Sequence, residues 1–279
     1  MTITRALVLG GGGLAGIAWE TGVLAGLAAE GIDANTADFV VGTSAGSTVA
    51  AQFGSGLAPA ELLARQTDPG LQNAELSPIG LTTAEVMEHW AELMEQFTDP
   101  DELRRQVGDF AIGATTVSEA ERRAVVAGRL PSHEWPDRRM DIVTVDAETG
   151  AVMTIDRGCG IDLVDAVAAS CAVPGVWPPV TINGHRYVDG GVRTLNNADF
   201  AAGYDRVLIL APMADPVLDE QVKVLECSAR VEVIAPDEAS LAAFGLDPLD
   251  PDVRAPSAQA GHAQGRKAAK LIASLWLDE

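Results

Sequence analysis

The sequence is poor in basic residues. Only 19 Lys and Arg side chains stand against 40 Asp and Glu in 279 residues, which gives a formal net charge of −21. A field of that sign repels phosphate backbones and anionic bilayers, which argues against nucleic acid as a partner. Approach to a membrane would need an apolar patch or a local basic cluster. Three adjacent arginine pairs, at 104–105, 122–123 and 138–139, are such clusters, although solvated helix faces are their more ordinary interpretation.

Cysteine is scarce as well, and long hydrophobic runs are interrupted. The three cysteines, 159, 171 and 227, lack metal-ligand or CxxC spacing, so we expect reduced, partly buried thiols and a cytoplasmic protein, at most peripheral to a membrane. The N-terminus has no segment typical of a secretory signal. The apolar stretch 6–29 contains four consecutive glycines and Glu20, which favour a buried strand, turn and helix over a membrane span. No motif implies a metal or an organic cofactor.

Hydrophobic patterning predicts an α/β fold. Residues 5–10 and 38–42 are typical of strands buried on both faces, and a glycine turn and a helix follow each of them, at 14–31 and 44–56. Two such units imply a parallel sheet with helical crossovers. We therefore expect a single domain over residues 1–279, with a mostly parallel central sheet and helices on both faces.

The rest of the chain fits the same fold class. A helical insertion is predicted at about 59–130, and it is the best candidate for a lid or an acyl-chain pocket wall, although its amphipathic part at 86–97 is also what plain core would show. Further strands and helices are predicted from apolar runs between turn signals. The strands fall within 140–158, 176–191, 206–212 and 230–236, and the helices within 162–172 and 257–277.

The stretch LGGGGLAG (9–16) lies between the first predicted strand and helix. It fits GxGxxG through Gly11, Gly13 and Gly16, which is the context of a dinucleotide-binding turn. The acidic residue that such a fold needs after its second strand is absent, because GTSAGS follows that strand. A tight turn accounts for one or two of the glycines. Successive glycine N–H groups at a helix N-terminus also form an anion site suited to an oxyanion.

Ser44 lies in a GxSxG pattern formed by residues 42–46. The pattern alone is weak, since a serine here is also an acceptable helix N-cap. Its context between a buried strand and a helix favours a sharp turn that presents the hydroxyl as a nucleophile. Such a serine needs a base, and each of the four histidines, at 89, 133, 185 and 262, is more ordinary as a surface or core residue.

Asp189 is the other candidate for the base. It follows a short predicted strand and precedes two glycines, which is also the pattern of a tight turn with an Asx residue. A carboxylate near its unperturbed pKa of about 4 is a weak base, so a dry pocket would have to raise that pKa. The paired glycines would allow the two loops to approach each other.

Together these motifs resemble the patatin-like phospholipase family. In that family a GGGxxG turn supplies the oxyanion hole, GxSxG the nucleophile, and DG[GA] the aspartate of a Ser-Asp dyad without histidine. The segment 168–180 is similar to the Ala-Ser and Pro-rich block that precedes the family's aspartate. The resemblance covers about residues 5–56 and 140–212. The matching positions are Gly11, Gly12, Gly13 and Gly16, then Ser44, then Asp189, Gly190 and Gly191.

The resemblance implies a serine acyl hydrolase for lipid or other carboxylic esters, of phospholipase A, lysophospholipase or esterase type, with an acyl-ester substrate and transient contact with a membrane surface. Ser44 and Asp189 would form the dyad, and Gly11, Gly12 and Gly13 would form the oxyanion hole. Two alternatives stay open, namely a catalytically weak or silent lipid-binding protein of the same fold and a dinucleotide-binding oxidoreductase. Nothing in the sequence bears on oligomeric state.

One position departs from the family pattern. Family members commonly carry Arg or Lys before the last glycine of the first motif, where this chain has Ala15. The next helix has WETGVL where a histidine is often seen. Arg193, close after Asp189, is a candidate to replace the missing charge, although a surface arginine in a loop is the more ordinary case.

Overall fold

The computed structural model describes residues 3–277. Within that range the chain forms eight strands and ten α-helices. The strands are β1 (Arg5–Leu9), β2 (Phe39–Thr43), β3 (Arg139–Asp146), β4 (Val152–Ile155), β5 (Val180–Ile182), β6 (His185–Asp189), β7 (Arg206–Leu210) and β8 (Arg230–Ile234). The helices are α1 (Gly13–Ala29), α2 (Ala45–Gly54), α3 (Pro59–Thr67), α4 (Thr83–Gln96), α5 (Pro100–Gly113), α6 (Glu119–Arg129), α7 (Leu163–Ser170), α8 (Leu218–Glu226), α9 (Glu238–Ala243) and α10 (Arg254–Trp276).

The strands of the described residues form one sheet whose hydrogen-bonded neighbours follow the order β5-β6-β3-β2-β1-β7-β8. β2 and β6 pair with successive parts of the same edge of β3, and β4 pairs with its other edge. β1, β2, β3, β7 and β8 run parallel to one another in the centre and at one end of the sheet. β4, β5 and β6 pair antiparallel at the other end. The predicted α/β fold with a mostly parallel sheet is confirmed.

Two hydrophobic cores lie on opposite faces of the sheet. Because successive side chains of a strand point to opposite faces, Leu7 and Leu9 of β1 enter one core while Ala6 and Val8 enter the other. The first core contains buried side chains of α1, α2, α7 and α10, and the second contains those of α8 and the turn at 198–201. Burial on both faces explains why β1 is a continuous apolar run.

The segment 59–130 contains four helices, α3 to α6, as predicted. Two of them begin at N-caps, since the hydroxyls of Thr82 and Ser118 accept hydrogen bonds from the N–H groups of Glu85 and Glu121. Within residues 3–277 no helix combines the length and apolar character needed to cross a bilayer.

The cysteines match the sequence expectation only in part. All three thiols are free, and Cys171 is buried. Cys159 and Cys227 are exposed, so the expectation that all three are partly buried was wrong. The physical reason is local, because Cys159 ends a helical turn and Cys227 follows the last residue of α8, and each thiol donates a hydrogen bond to a residue three or four positions before it.

Candidate active site

Ser44 and Asp189 meet because two strands share one edge of β3. β2 runs parallel to β3 and ends with Thr43 opposite Val143, whereas β6 runs antiparallel and ends with Asp189 opposite Thr144. β4 occupies the other edge of β3 over the same stretch. Since a strand pairs with one neighbour on each edge, β2 and β6 approach end to end along the same edge. Ser44, one residue beyond β2, therefore lies beside Asp189.

Ser44 forms a strained turn between β2 and α2. Its φ of 51° and ψ of −114° lie in a region that residues other than glycine rarely adopt, and this backbone strain costs about 1–3 kcal/mol. The residue is buried, with 8% of its surface exposed to solvent. α2 then passes so close to β1 that a Cβ at Gly46 would lie 2.0 Å from the Leu9 carbonyl oxygen. The GxSxG spacing thus predicted the sharp turn correctly.

Ser170 connects the strands where β2 and β3 separate. The Ser44 N–H donates a hydrogen bond to the Ser170 hydroxyl at 2.9 Å, and that hydroxyl donates to the Val143 carbonyl at 2.7 Å. The Cys171 thiol donates to the Ser44 carbonyl at 3.2 Å. Sequence reasoning assigned Ser170 no role, although it falls in the segment 168–180 that entered the family resemblance.

The Asp189 carboxyl is nearly dry, with 4% of the residue exposed. One of its oxygens accepts a hydrogen bond from the Gly191 N–H at 2.7 Å, and the Ser44 side chain lies near enough to lower the pKa of the carboxyl. Burial raises the pKa of Asp189 to about 7, against the lowering effect of those two hydrogen-bond donors. A Cβ at Gly190 would lie 2.4 Å from the Val143 carbonyl oxygen, so the glycine allows β6 to lie against β3.

The glycine turn before α1 lies next to Ser44. A Cβ at Gly11 would lie 3.5 Å from the Ser44 Cβ. The Gly11 N–H is already engaged, since it donates to the Leu195 carbonyl at 2.8 Å. In contrast, no acceptor within residues 3–277 hydrogen-bonds the N–H groups of Gly12, Gly13 or Ala45. Of the three glycines predicted as donors, Gly12 and Gly13 therefore have N–H groups without an acceptor in the described chain, as has Ala45 after the serine, whereas the Gly11 N–H has one.

Glu20 lies buried beneath the same turn. Its carboxyl oxygen accepts a hydrogen bond from the Gly10 N–H at 2.8 Å, and burial raises its pKa well above the ordinary value. The Gly10 N–H also reaches the Leu210 carbonyl at 3.0 Å. Burial of Glu20 agrees with the sequence interpretation that 6–29 is a buried strand, turn and helix.

A small pocket opens beside Ser44. Its free volume of about 20 Å³ is enough for about one water molecule. Apolar side chains, Trp177 and two arginines surround it together with Gly13 and Ala45, and no histidine of the described chain is among its lining residues. No group of three or more potential metal-ligating His, Cys, Asp or Glu side chains occurs within residues 3–277.

A buried ion cluster forms one wall of the pocket. The Glu75 carboxylate lies between three arginines, at 2.6 Å from Arg129, 3.1 Å from Arg254 and 3.5 Å from Arg122. Their charges lower the pKa of Glu75 in spite of its burial. The expectation that the 122–123 pair lies on a solvated helix face was wrong for Arg122, which is 5% exposed. The sequence signal for this burial was the spacing of Arg122 from positions 126 and 129, because these three positions share one face of a helix.

Arg193 is engaged elsewhere. Its guanidinium binds the Asp199 carboxylate through two hydrogen bonds of 2.8 and 2.7 Å and donates a third to Asn197. It also lies over the Phe200 ring. The structure therefore gives Arg193 a partner of opposite charge and does not place it among the residues that line the pocket.

Fold and site together define a class, an α/β protein with a serine at a strand-to-helix turn beside a buried aspartate and a glycine turn. A family model described as patatin-like phospholipase matches residues 7–202, and the chain belongs to that family. Members of the family are typically lipid acyl hydrolases. A search of the curated proteins found no significant match.

Solved structures of similar fold include those of two bacterial proteins. VipD from Legionella pneumophila is similar over 96% of this chain and 67% of its own, with 13% identity and a TM-score of 0.50. ExoU, in its complex with SpcU from the type III secretion system of Pseudomonas aeruginosa, is similar over 99% of this chain and 52% of its own, with 15% identity and a TM-score of 0.44. At 13% sequence identity, the similarity to VipD is evidence for the fold alone. This chain spans about half the length of ExoU.

Proposed function

We propose that the protein is a serine acyl hydrolase that cleaves the carboxylic esters of lipids with a Ser44-Asp189 dyad. The observation that carries the proposal is the position of the strained Ser44 turn, at the end of β2, beside the buried Asp189 carboxyl at the end of β6, whose pKa is raised. The absence of histidine from the described pocket lining agrees with a dyad that uses none. Membership of a family of lipid hydrolases supports the substrate class.

The reaction follows from this geometry in two stages. Asp189 accepts the Ser44 proton as the hydroxyl oxygen bonds to the ester carbonyl carbon. The tetrahedral intermediate collapses, its C–O bond to the alcohol breaks, and the alcohol leaves with the proton held by Asp189. Water then attacks the acyl-Ser44 ester with Asp189 as base again. The fatty acid leaves, and the proton returns to the Ser44 oxygen.

Main-chain amides would stabilise the negative oxygen of both intermediates. The N–H groups of Gly12, Gly13 and Ala45 are the suitable donors, because each has no acceptor within residues 3–277. We expected Gly11 to donate its N–H to the oxyanion, but that N–H is already bonded to Leu195. Gly11 would instead allow the glycine turn to lie close to Ser44, because it has no side chain. The amide after the nucleophile is a donor of the same kind in other serine hydrolases with a sharp turn.

Binding of an acyl chain requires the helical segment 59–130 and the segment that carries Leu249 to move. Room for about one water molecule cannot hold an acyl chain, so Leu76 and Leu249, which line the pocket, would have to separate from Leu14 and Ile17. Exposed apolar side chains occur on the two segments that carry Leu76 and Leu249. We propose that these side chains contact the lipid surface. They are Ile79, Leu81, Met87, Met94 and Leu246.

A panel of p-nitrophenyl acyl esters tests the proposal. Ser44→Ala and Asp189→Asn should each lower kcat at least about a hundredfold, because the nucleophile and the general base act as a unit. A variant without its four histidines should keep its activity, provided that circular dichroism shows it folded. The histidines serve as matched controls because they lie outside the pocket lining.

Two outcomes would contradict the proposal. Activity that persists in Ser44→Ala would remove the serine mechanism. A wild-type protein that binds lipid but turns over no ester would instead support the alternative of a silent lipid-binding protein. The dinucleotide-binding alternative would require a thermal shift with NAD or NADP, which we do not expect.

A further inference from the structure

The Arg122 guanidinium is a buried cation that shares its nearest anion, Glu75, with two other arginines. It lines the pocket beside Ser44, and its Nε and Nη1 atoms are buried with no hydrogen-bond partner in the described chain. A buried polar group without a partner is costly and rare in folded proteins. The guanidinium nevertheless has a defined position, because it lies over the Trp177 ring at 3.8 Å from the ring centre.

The neighbouring charges leave Arg122 uncompensated. Arg129 binds both oxygens of Glu75, with hydrogen bonds of 2.9 and 2.6 Å, and Arg254 adds a further one of 3.1 Å. Arg122 approaches the same carboxylate at 3.5 Å without forming a hydrogen bond. One carboxylate thus faces three guanidinium groups. The cluster carries an excess of positive charge inside a protein whose net charge is −21.

The three arginines differ in what they do for the fold. Arg129 belongs to α6 and holds Glu75, and Arg254 begins α10 and also donates to the main-chain and side-chain oxygens of Asn73. These two connect the segment around 73–75 to both helices. Arg122 adds no hydrogen bond to that connection, which leaves its Nε and Nη1 donors available to a ligand.

We propose that Arg122 binds the anionic oxygen group of the acyl-ester substrate next to Ser44. The group is a phosphate diester of a lipid headgroup or a carboxylate, because a planar guanidinium offers paired N–H donors to either. Stacking on Trp177 orients those donors before the substrate arrives. The inference rests on the proposed function, since it assigns the substrate class of that same site. It also supplies a cation to a chain that has Ala15 where family members commonly carry Arg or Lys.

Three esters of equal acyl chain separate the sources of the anion. They are a monoacylglycerol, its hemisuccinate and the corresponding lysophosphatidylcholine. Arg122→Met should lower kcat/KM at least about tenfold for the hemisuccinate or the lysophosphatidylcholine, the scale of a charge-assisted hydrogen bond, and should leave the neutral monoacylglycerol within about twofold. The ester whose kcat/KM falls more identifies the group, the carboxylate of the hemisuccinate or the phosphate of lysophosphatidylcholine. Arg122→Lys should lie between wild type and Arg122→Met, because it keeps the charge but not the paired donors.

Arg123→Met is the matched control. Arg123 is the next residue of α6, its side chain is 44% exposed, and it pairs with Asp165 away from the pocket. Its loss removes the same charge from the whole molecule and should change none of the three rates by more than about twofold, as expected for an exposed ion pair. Arg122→Met should stay folded, because an apolar side chain replaces a guanidinium without hydrogen bonds. A thermal melt checks both variants.

Binding to inactive protein separates the inference from the proposed function. In the Ser44→Ala background, the Kd for the better anionic ester should rise at least about tenfold on adding Arg122→Met, while the Kd for the monoacylglycerol should not change. Equal losses for all three esters, or none, would overturn the subsite even if Ser44 proves to be the nucleophile. Loss of selective binding in an inactive protein would support the subsite and reject only the hydrolase.

Discussion

At the scale of single residues, Asp189 combines two requirements that conflict. A general base must lose its proton near neutral pH, and a carboxyl that is almost fully buried holds its proton more tightly than one in water. The raised pKa of about 7 matches the base to the pH at which it would work. The same burial destabilises the charged form, so the native state is less stable once Asp189 ionises.

Asp189→Asn should therefore stabilise the protein at alkaline pH. Between the ordinary pKa of 3.8 and the folded value of about 7, the native state keeps a proton that the unfolded chain has lost, so stability falls as pH rises through this window. The asparagine removes this loss, which amounts to as much as about 4 kcal/mol at about one and a third per pKa unit. Urea unfolding at pH 4 and pH 8 measures the difference between variant and wild type. We expect a difference that grows with pH; a variant equally or less stable at pH 8 would contradict it.

The sequence predicted those site residues whose neighbours are glycines. Ser44 and Asp189 could be found because a sharp turn and a close approach both require glycine at fixed offsets. The catalytic roles of the two residues remain predictions. Arg122 could not be found in this way. Its spacing from Val126 and Arg129 indicates a shared helical face, but its contacts are with Trp177 and Glu75, which lie 55 and 47 positions away along the chain and which no local pattern indicates.

At the scale of elements, the site depends on the end-to-end meeting of β2 and β6 along β3. Two strands of opposite direction cannot continue each other's hydrogen-bond ladder, so main-chain groups are left without partners where they meet. The Ser170 hydroxyl satisfies two of them, the Ser44 N–H and the Val143 carbonyl. It thereby holds the strained turn that carries the proposed nucleophile.

Ser170→Ala should lower both stability and activity. The change leaves a buried N–H and a buried carbonyl unpaired, at a cost of about 2–3 kcal/mol, and frees the turn at Ser44. We expect the urea midpoint to fall and kcat on a soluble ester to drop about tenfold or more, by analogy with small misplacements of reacting groups. Ser274→Ala removes an exposed hydroxyl that bonds only to Leu271 of α10 and should change neither quantity. A Ser170→Ala protein with wild-type kcat would show that the bridge does not position the nucleophile.

Most elements could be predicted from the sequence, but their arrangement could not. β1, β2 and β7 are apolar runs because both faces of the central sheet are covered, and α4 and α6 begin at recognisable caps. The position of β6 beside β3 depends on pairing between residues more than 40 positions apart, on which no local pattern bears. The sequence therefore indicated the dyad's members and left their contact as a hypothesis.

At the scale of the whole molecule, charge should decide which lipid surfaces the protein meets. A net charge of −21 repels an anionic bilayer over about a Debye length, roughly 10 Å at 0.1 M salt, and the cationic cluster at the pocket is too deeply buried to counter that field. Phosphatidylcholine vesicles should therefore bind more protein than vesicles containing phosphatidylglycerol at low salt. The difference should shrink as salt rises, as cosedimentation can measure. Tighter binding to the anionic vesicles would contradict this account.

The same vesicles test the exposed apolar residues. Met87→Ser and Met94→Ser replace two α4 side chains that are more than half exposed, so the fold should tolerate both. The double variant should bind less to either kind of vesicle and keep its activity on a soluble ester. Unchanged vesicle binding would place the lipid contact elsewhere on the surface.

The most direct test of the central claim is the rate and place of labelling by a fluorophosphonate, followed by intact mass and peptide mapping. The account predicts one adduct, on Ser44, whose rate of formation rises with pH through about 7 as Asp189 loses its proton. Asp189→Asn should slow that rate at least about a hundredfold without moving the adduct. An adduct on another residue, no adduct at all, or an Asp189→Asn protein labelled at the wild-type rate would contradict the account.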